Sequence, residues 1–162
     1  MQQNKPESKK TSESSLESTY MVMPEHTNPR GYTFGGTIMA WVDITAGVVA
    51  FRHCRTSVVT ASMDELSFLY PVNLGDLVTL KASVNFTSRH SMEVGVKVLA
   101  ENPITGESSH TATAYLTFVS LDKNGKTLPI AQVIPETDEH IRRFEAGKAR
   151  YQERLNKRKK RG

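Results

Sequence analysis

The sequence predicts an α+β fold in which an antiparallel sheet curls around one central helix, and three observations point to it. The run from Thr37 to Phe51 is apolar nearly all round, which reads as a helix buried on every side. Four long segments rich in Val, Thr, Ser and Phe follow it, with partial alternation and turn residues between them. After Pro135 the pattern becomes charged and helical. An all-apolar helix needs a strand package around it, and consecutive strands joined by short turns favour antiparallel pairing.

Taken in order, Met1 to Ser18 is rich in Ser, Glu and Lys and reads as a disordered arm, because it has too little apolar surface to offset the entropy of ordering. Thr19 to Met23 is a short first strand ended by Pro24. Glu25 to Phe34, with Asn-Pro and Gly31, is loop. The central helix starts at Gly35-Gly36. Strands are expected over Ser57 to Phe68, Asp76 to Thr87, Ser91 to Glu101 and Ser108 to Leu121, broken by Pro71 to Gly75, Ser88 to His90 and Asn102 to Gly106. Asp122 to Gly125 makes a further turn. Pro129 and Pro135 bracket an extended crossing segment, and a helix then runs from Glu136 to about Lys157. The chain therefore divides into an arm (1–18), a globular domain (19–135) and a basic C-terminal helix and tail (136–162). A small open sheet leaves an edge unpaired, so edge-to-edge dimerisation is expected.

A chain of 162 residues suits one domain that buries its own core. No apolar run reaches the roughly 20 residues of a membrane span, and the N-terminus lacks the apolar core of a secretory signal. The single cysteine, Cys54, has no partner within the chain and fits a reducing, cytoplasmic setting. The net charge of +4 is unevenly spread. Arg142 to Arg161 holds 10 of the 21 basic side chains and 2 of the 17 acidic ones, leaving 11 basic against 15 acidic elsewhere. The globular part is net negative, and the basic run reads as a solvated tail.

One carboxylate stands out. Asp43 interrupts an apolar helix, and desolvation of a carboxylate favours its neutral form and strengthens it as a base. The loop ahead of that helix, Asn28-Pro-Arg-Gly-Tyr-Thr-Phe-Gly-Gly36, is polar and glycine-bearing. Its Gly35-Gly36 pair permits close backbone approach to the free N–H groups at the positive end of the helix dipole, where a carbonyl oxygen can gather charge. Other residues read as structural. Alternation sends Asp64 and Glu65 to opposite strand faces. His26, His53, His90 and His110 show neither zinc-site spacing nor a triad order, so no metal is expected. Cys54 lacks a nucleophile motif, and Trp41 and Met39 pack the helix.

The sequence resembles the hotdog acyl-CoA thioesterases of the cytosolic acyl-CoA hydrolase type. The resemblance rests on Asn28-x-x-Gly31-x-x-x-Gly35-Gly36 followed by Asp43, on Val58-Val-Thr-Ala-Ser-Met-Asp64, Phe68-x-x-Pro71-Val, Gly75-Asp76-Leu-Val and Ser88-Arg-His-Ser-Met-Glu93. It implies a hotdog fold and hydrolysis of acyl-CoA to fatty acid and CoA. It also implies Asp43 as general base or nucleophile, facing Asn28 of the neighbouring subunit, with Gly35 and Gly36 presenting backbone N–H groups to the thioester oxygen. Arg89, Ser91 and Met92 fall where family members contact CoA, and three dimers are implied to form a hexamer. No cofactor is implied, since CoA enters as part of the substrate and leaves as product.

Two other readings compete. A hotdog hydratase shares the fold and substrate class, but such enzymes offer a His with a carboxylate where this loop has Asn28. A nucleic-acid-binding module would use the basic C-terminus, yet the interleaved aromatic and basic surface of a stacking platform is missing.

Overall fold

The computed structural model describes residues 5–64 and 66–162. An antiparallel sheet in the order β2-β4-β5-β6-β3 wraps the central helix α1 (Gly35–Cys54); its strands are β2 (Leu16–Met21), β3 (Ser57–Asp64), β4 (Leu77–Thr87), β5 (Ser91–Glu101) and β6 (Ser108–Leu121). A two-residue strand β7 (Thr127–Leu128) adds to β6. The inner face of the sheet supplies Val78, Leu80, Val94, Val96, Val98, Ala114, Leu116 and Phe118, which pack on Ile38, Val42, Ala46 and Val49 of α1. This is the hotdog arrangement that the strand-rich, single-core-helix pattern predicts.

The N-terminal arm departs from the expectation of disorder. Its first four residues lie outside the described residues, but β1 (Lys9–Lys10) pairs in parallel with β8 (Val133–Ile134), and a 3-10 turn follows over Thr11–Glu13. Thr11 and Ser14 are buried. The Ser12 N–H donates to Glu136 at 2.7 Å, and Lys9 Nζ donates to the Arg52 carbonyl at 3.1 Å. The arm is held by hydrogen bonds to the crossing segment and the end of α1, a contribution that an argument from apolar surface leaves out. The strand expected over Thr19 to Met23 is β2, which runs Leu16–Met21.

Two β-bulges decide which side chains face out. In β3 the register passes from Thr60↔Phe118 to Ser62↔Thr117, leaving Ala61 as the extra residue. Thr60 and Met63 therefore pair with the inward Phe118 and Leu116, and Asp64 pairs with Tyr115 on the outer face. In β4 a second shift between Val84 and Phe86 puts Phe86 opposite Glu93, also on the outside.

The C-terminal helix α2 (Asp138–Arg161), capped by the Thr137 hydroxyl, lies on this outer face. It is more than a solvated tail. Arg150 makes two hydrogen bonds, 2.8 and 2.9 Å, to the carboxylate of Glu93, whose side chain is 1% exposed. Asn85 Nδ2 donates to the same carboxylate at 3.1 Å, and Arg154 reaches Asp64 at 3.2 Å. The Arg150 guanidinium also sits 3.6 Å above the Tyr115 ring. Gly147 makes the close approach possible, since a Cβ there would come within 2.8 Å of Glu93 and 2.9 Å of Phe86. Among the described residues no helix is long and apolar enough to cross a membrane.

Candidate active site

The stripe of α1 that this chain leaves uncovered carries the carboxylate. Gly36, Ala40, Asp43, Gly47 and Phe51 recur at helical spacing along one side, and none of them is buried. Met39, Ile44 and Phe51 are 44%, 59% and 51% exposed. The expectation of a helix buried on every side, with Met39 packed, therefore fails within one protomer. The residues flanking Asp43 are small, so a second chain or a ligand can approach the helix backbone closely.

Asp43 is half-buried and has one hydrogen-bond partner among the described residues: the Thr60 hydroxyl donates to its Oδ1 at 2.7 Å. A carboxylate only accepts, so Thr60 must donate, which fixes the rotation of the carboxylate and leaves Oδ2 for a further donor. Thr60 is brought there by the bulge in β3. Sequence reading passed over it because a threonine in a Val-Val-Thr-Ala strand is ordinary β composition.

The loop that carries Asn28 is built on α1 and on the segment before β4. Trp41 of α1 stacks on Tyr20 with ring centroids 4.7 Å apart and meets the edge of His26 at 5.0 Å. Isolated bridges join Thr27 to Thr33 and Tyr32 to Asn73. Gly31 turns the loop with φ +79°, a conformation that favours glycine, and its N–H donates to the Asn28 carbonyl at 2.9 Å. Asn28 Oδ1 accepts from the N–H groups of Arg30 (2.9 Å) and Tyr32 (3.2 Å). Those two donors hold the side-chain oxygen toward the loop, and the amide NH2 has no hydrogen-bond partner among the described residues. Among the described residues no hydrogen bond joins Asn28 to Asp43 within one protomer.

The N-terminus of α1 is uncapped by any side chain, because Phe34 is the capping residue. The N–H groups of Gly35 and Gly36 therefore start the helix without a side-chain acceptor. A Cβ at Gly36 would meet nothing within 4 Å, so the protomer's own packing does not demand glycine there. At Gly35 the Phe68 ring comes to 3.4 Å of such a Cβ. Phe68 lies beyond β3, which ends at Asp64 rather than continuing to it, and the segment is tied instead by the Leu69 N–H to the Thr111 carbonyl at 2.8 Å.

The three residues expected at CoA divide. Arg89 is exposed in the turn between β4 and β5 and has no ion-pair partner among the described residues. The Ser91 hydroxyl is engaged with that of Ser88 at 2.7 Å. Met92 is 1% exposed and packs in the core, so its side chain is corrected from a CoA contact to a core residue: in β5 it points inward with Val94 and Val96. Asp64 belongs to the docking of α2, and Glu65 lies outside the described residues. Burial pushes the Cys54 thiol up to about 11, which opposes a nucleophilic role. Burial likewise lowers the pKa of His53, whose Nε2 lies 2.6 Å from the Ala131 carbonyl.

The thioesterase superfamily model matches residues 30–107. An uncharacterized acyl-CoA thioester hydrolase of Bacillus subtilis is 43% identical over 95% of this chain and 90% of its own. The human cytosolic acyl coenzyme A thioester hydrolase is 41% identical over 86% of this chain, which spans only 37% of the length of that relative. Among solved structures, an acyl-CoA hydrolase from Bacillus cereus has a TM-score of 0.90 at 38% identity, covering 95% of this chain and 94% of that one. A hexameric acyl-CoA thioesterase, without ligand, has the same score and identity and covers 94% and 97%. The Staphylococcus aureus acyl-CoA hydrolase, solved with butyryl coenzyme A and coenzyme A, has a TM-score of 0.86 at 34% identity over 93% and 92% of the two chains. Variants of that enzyme solved separately replace, in its own numbering, Asp43, Asn28 and Thr60 by alanine.

Proposed function

Because the chain belongs to the acyl-CoA thioester hydrolases of the thioesterase superfamily, we propose that it hydrolyses acyl-CoA to a free acid and CoA, with Asp43 as its base. The observation that carries this reading is the Thr60–Asp43 hydrogen bond, which holds one carboxylate oxygen and leaves the other for water. That oxygen takes a proton from the water, whose oxygen attacks the thioester carbon. The developing oxyanion is received by the N–H of Gly36 at the positive end of α1. The carbon–sulfur bond then breaks and the thiolate leaves, a departure that needs little acid assistance. No cofactor takes part.

The site is completed by a second copy. The free edge of β3, with Val59 42% exposed, and the bare stripe of α1 form one apolar surface around Asp43. Pairing two such edges into a continuous sheet covers that surface and brings Asn28 of the partner subunit to Asp43, where its free amide NH2 orients water or substrate. The hexameric relative supports a trimer of such dimers. Arg89 supplies a cation for the CoA phosphates.

Free-thiol release from a panel of acyl-CoAs of different chain length tests reaction and specificity together, and turnover of a saturated acyl-CoA separates hydrolase from hydratase. Asp43→Asn should abolish nearly all release while leaving fold and oligomer intact. Turnover near the wild-type rate in that variant would remove Asp43 from the mechanism.

A further inference from the structure

The ordered N-terminal arm borders a groove of which the catalytic reading uses only Arg89. A cavity of about 720 Å³ lies between the arm (Lys5, Pro6), the β4–β5 turn (Ser88, Arg89) and the crossing segment (Pro129, Ile130, Gln132). Its position follows from the pairing of β1 with β8. In that parallel register Lys9 aligns with Val133, and the Lys9 N–H donates to the Gln132 carbonyl at 2.9 Å, so the residues before Lys9 run back beside 129–132. The opposite wall is fixed by the Ile130 N–H, which donates to the Arg89 carbonyl at 2.8 Å, and by Gln132 Nε2, which donates to the Ser88 carbonyl at 3.0 Å.

The chemistry of the lining is specific. Lys5 and Arg89 contribute two positive charges, and among the described residues no carboxylate lines the groove and neither cation has an ion-pair partner. Pro6, Pro129 and Ile130 add apolar surface beside the charges. Two unpaired cations next to flat apolar walls suit a phosphorylated nucleotide, with phosphates at the cations and the base against the prolines. The groove also borders the start of a strand that leads toward Asp43. Thr60 aligns with Phe118, and Phe118 with Met92, so the strand entering from the Ser88–His90 turn passes two strands, about 10 Å, from the residue that holds Asp43.

We infer that the N-terminal arm completes the CoA site: Lys5, held beside Pro129 by the β1–β8 pairing, is a second phosphate-binding cation opposite Arg89. The inference rests on the hydrolase reading for the identity of its ligand, and the arm is substrate-binding rather than ornamental. Charge reversal at Lys5 should act on the nucleotide end of the substrate and spare the thioester end.

The test compares wild type, Lys5→Glu and Lys5→Arg on an acyl-CoA and on the matching acyl-pantetheine thioester, which lacks the nucleotide, with the Kd for free CoA measured by calorimetry. For Lys5→Glu the expected result is a KM for acyl-CoA raised about three- to tenfold, a KM for acyl-pantetheine changed less than twofold, and a CoA Kd raised in parallel with the first. Lys5→Arg should stay near wild type. An unchanged KM and Kd, or equal shifts on both thioesters, would overturn the role of the arm while leaving hydrolysis by Asp43 intact. Failure of wild type to release thiol from either substrate would instead overturn the hydrolase reading, and the CoA Kd would still decide whether Lys5 contacts the nucleotide.

Discussion

Replacing Thr60 by valine removes one hydroxyl and keeps the shape of the strand, so it isolates the 2.7 Å hydrogen bond to Asp43. Hydrogen bonds to charged groups are worth about 1.5–3 kcal/mol, and this pair faces the uncovered side of the protomer, which argues for the lower end. A loss of about 1.5 kcal/mol in the transition state is roughly a tenfold fall in turnover. Thr60→Val should therefore lower kcat about tenfold with little change in KM, measured by thiol release, and Thr60→Ser should restore most of it. The mechanism makes a sharper demand. If Thr60 acts only by holding Asp43, adding Thr60→Val to Asp43→Asn should cost almost nothing further, so the two effects should be strongly non-additive. A full tenfold loss in the Asp43→Asn background, or a Thr60→Val enzyme within twofold of wild type, refutes the positioning role.

Other consequences can be checked alongside it. Inactive Asn28→Ala and Asp43→Asn chains should complement each other, because a mixed dimer has one site with neither lesion; equal random re-pairing should restore about one quarter of wild-type activity by twofold symmetry, and heterodimers as inactive as their parents would exclude a shared site. Arg150→Met removes the two shortest hydrogen bonds to the buried Glu93 carboxylate, leaving it Asn85 at 3.1 Å and Arg154 at 4.0 Å, and should cost about 3 kcal/mol, read as a drop of roughly 10 °C in Tm; an unchanged Tm would show that α2 docks without this pair. The pKa of His53 is lowered by burial from 6.5, so below that value the unfolded chain binds more protons than the folded one. Stability should decline as pH falls below about 6.5 and continue to decline toward the depressed folded value. His53→Asn should flatten that slope in urea titrations, and an unaltered slope would assign it to other groups.

The parts legible in the sequence were those set by periodicity and by local chemistry. The bounds of β5 and β6 follow from alternation between turn residues, and α1 begins at its glycine pair. Asp43 was visible because a carboxylate is rare within so apolar a helix. What escaped depends on partners distant in the chain. Lys9 and Ser12 are ordered by Arg52 and Glu136, and nothing in an arm of Ser, Lys and Glu announces those acceptors. Arg150 and Arg154 read as members of a basic run until Glu93 and Asp64 are seen beneath them. Met92 illustrates the opposite error: its place in a CoA-like motif says nothing about which way a strand residue points.

The extra residue at Ala61 makes β3 a strand with two parities. Before it, even-numbered side chains look inward and bring Thr60 to the helix; after it, odd-numbered ones do, which frees Asp64 for the C-terminal helix. One short strand thus answers to two separate clients, and the bulge keeps their demands from colliding. The segment from 60 to 62 should accordingly tolerate substitution far better than a change of length. Deleting Ala61 would remove no core atom, yet it would force a choice between losing the threonine from the catalytic face and turning the aspartate into the core.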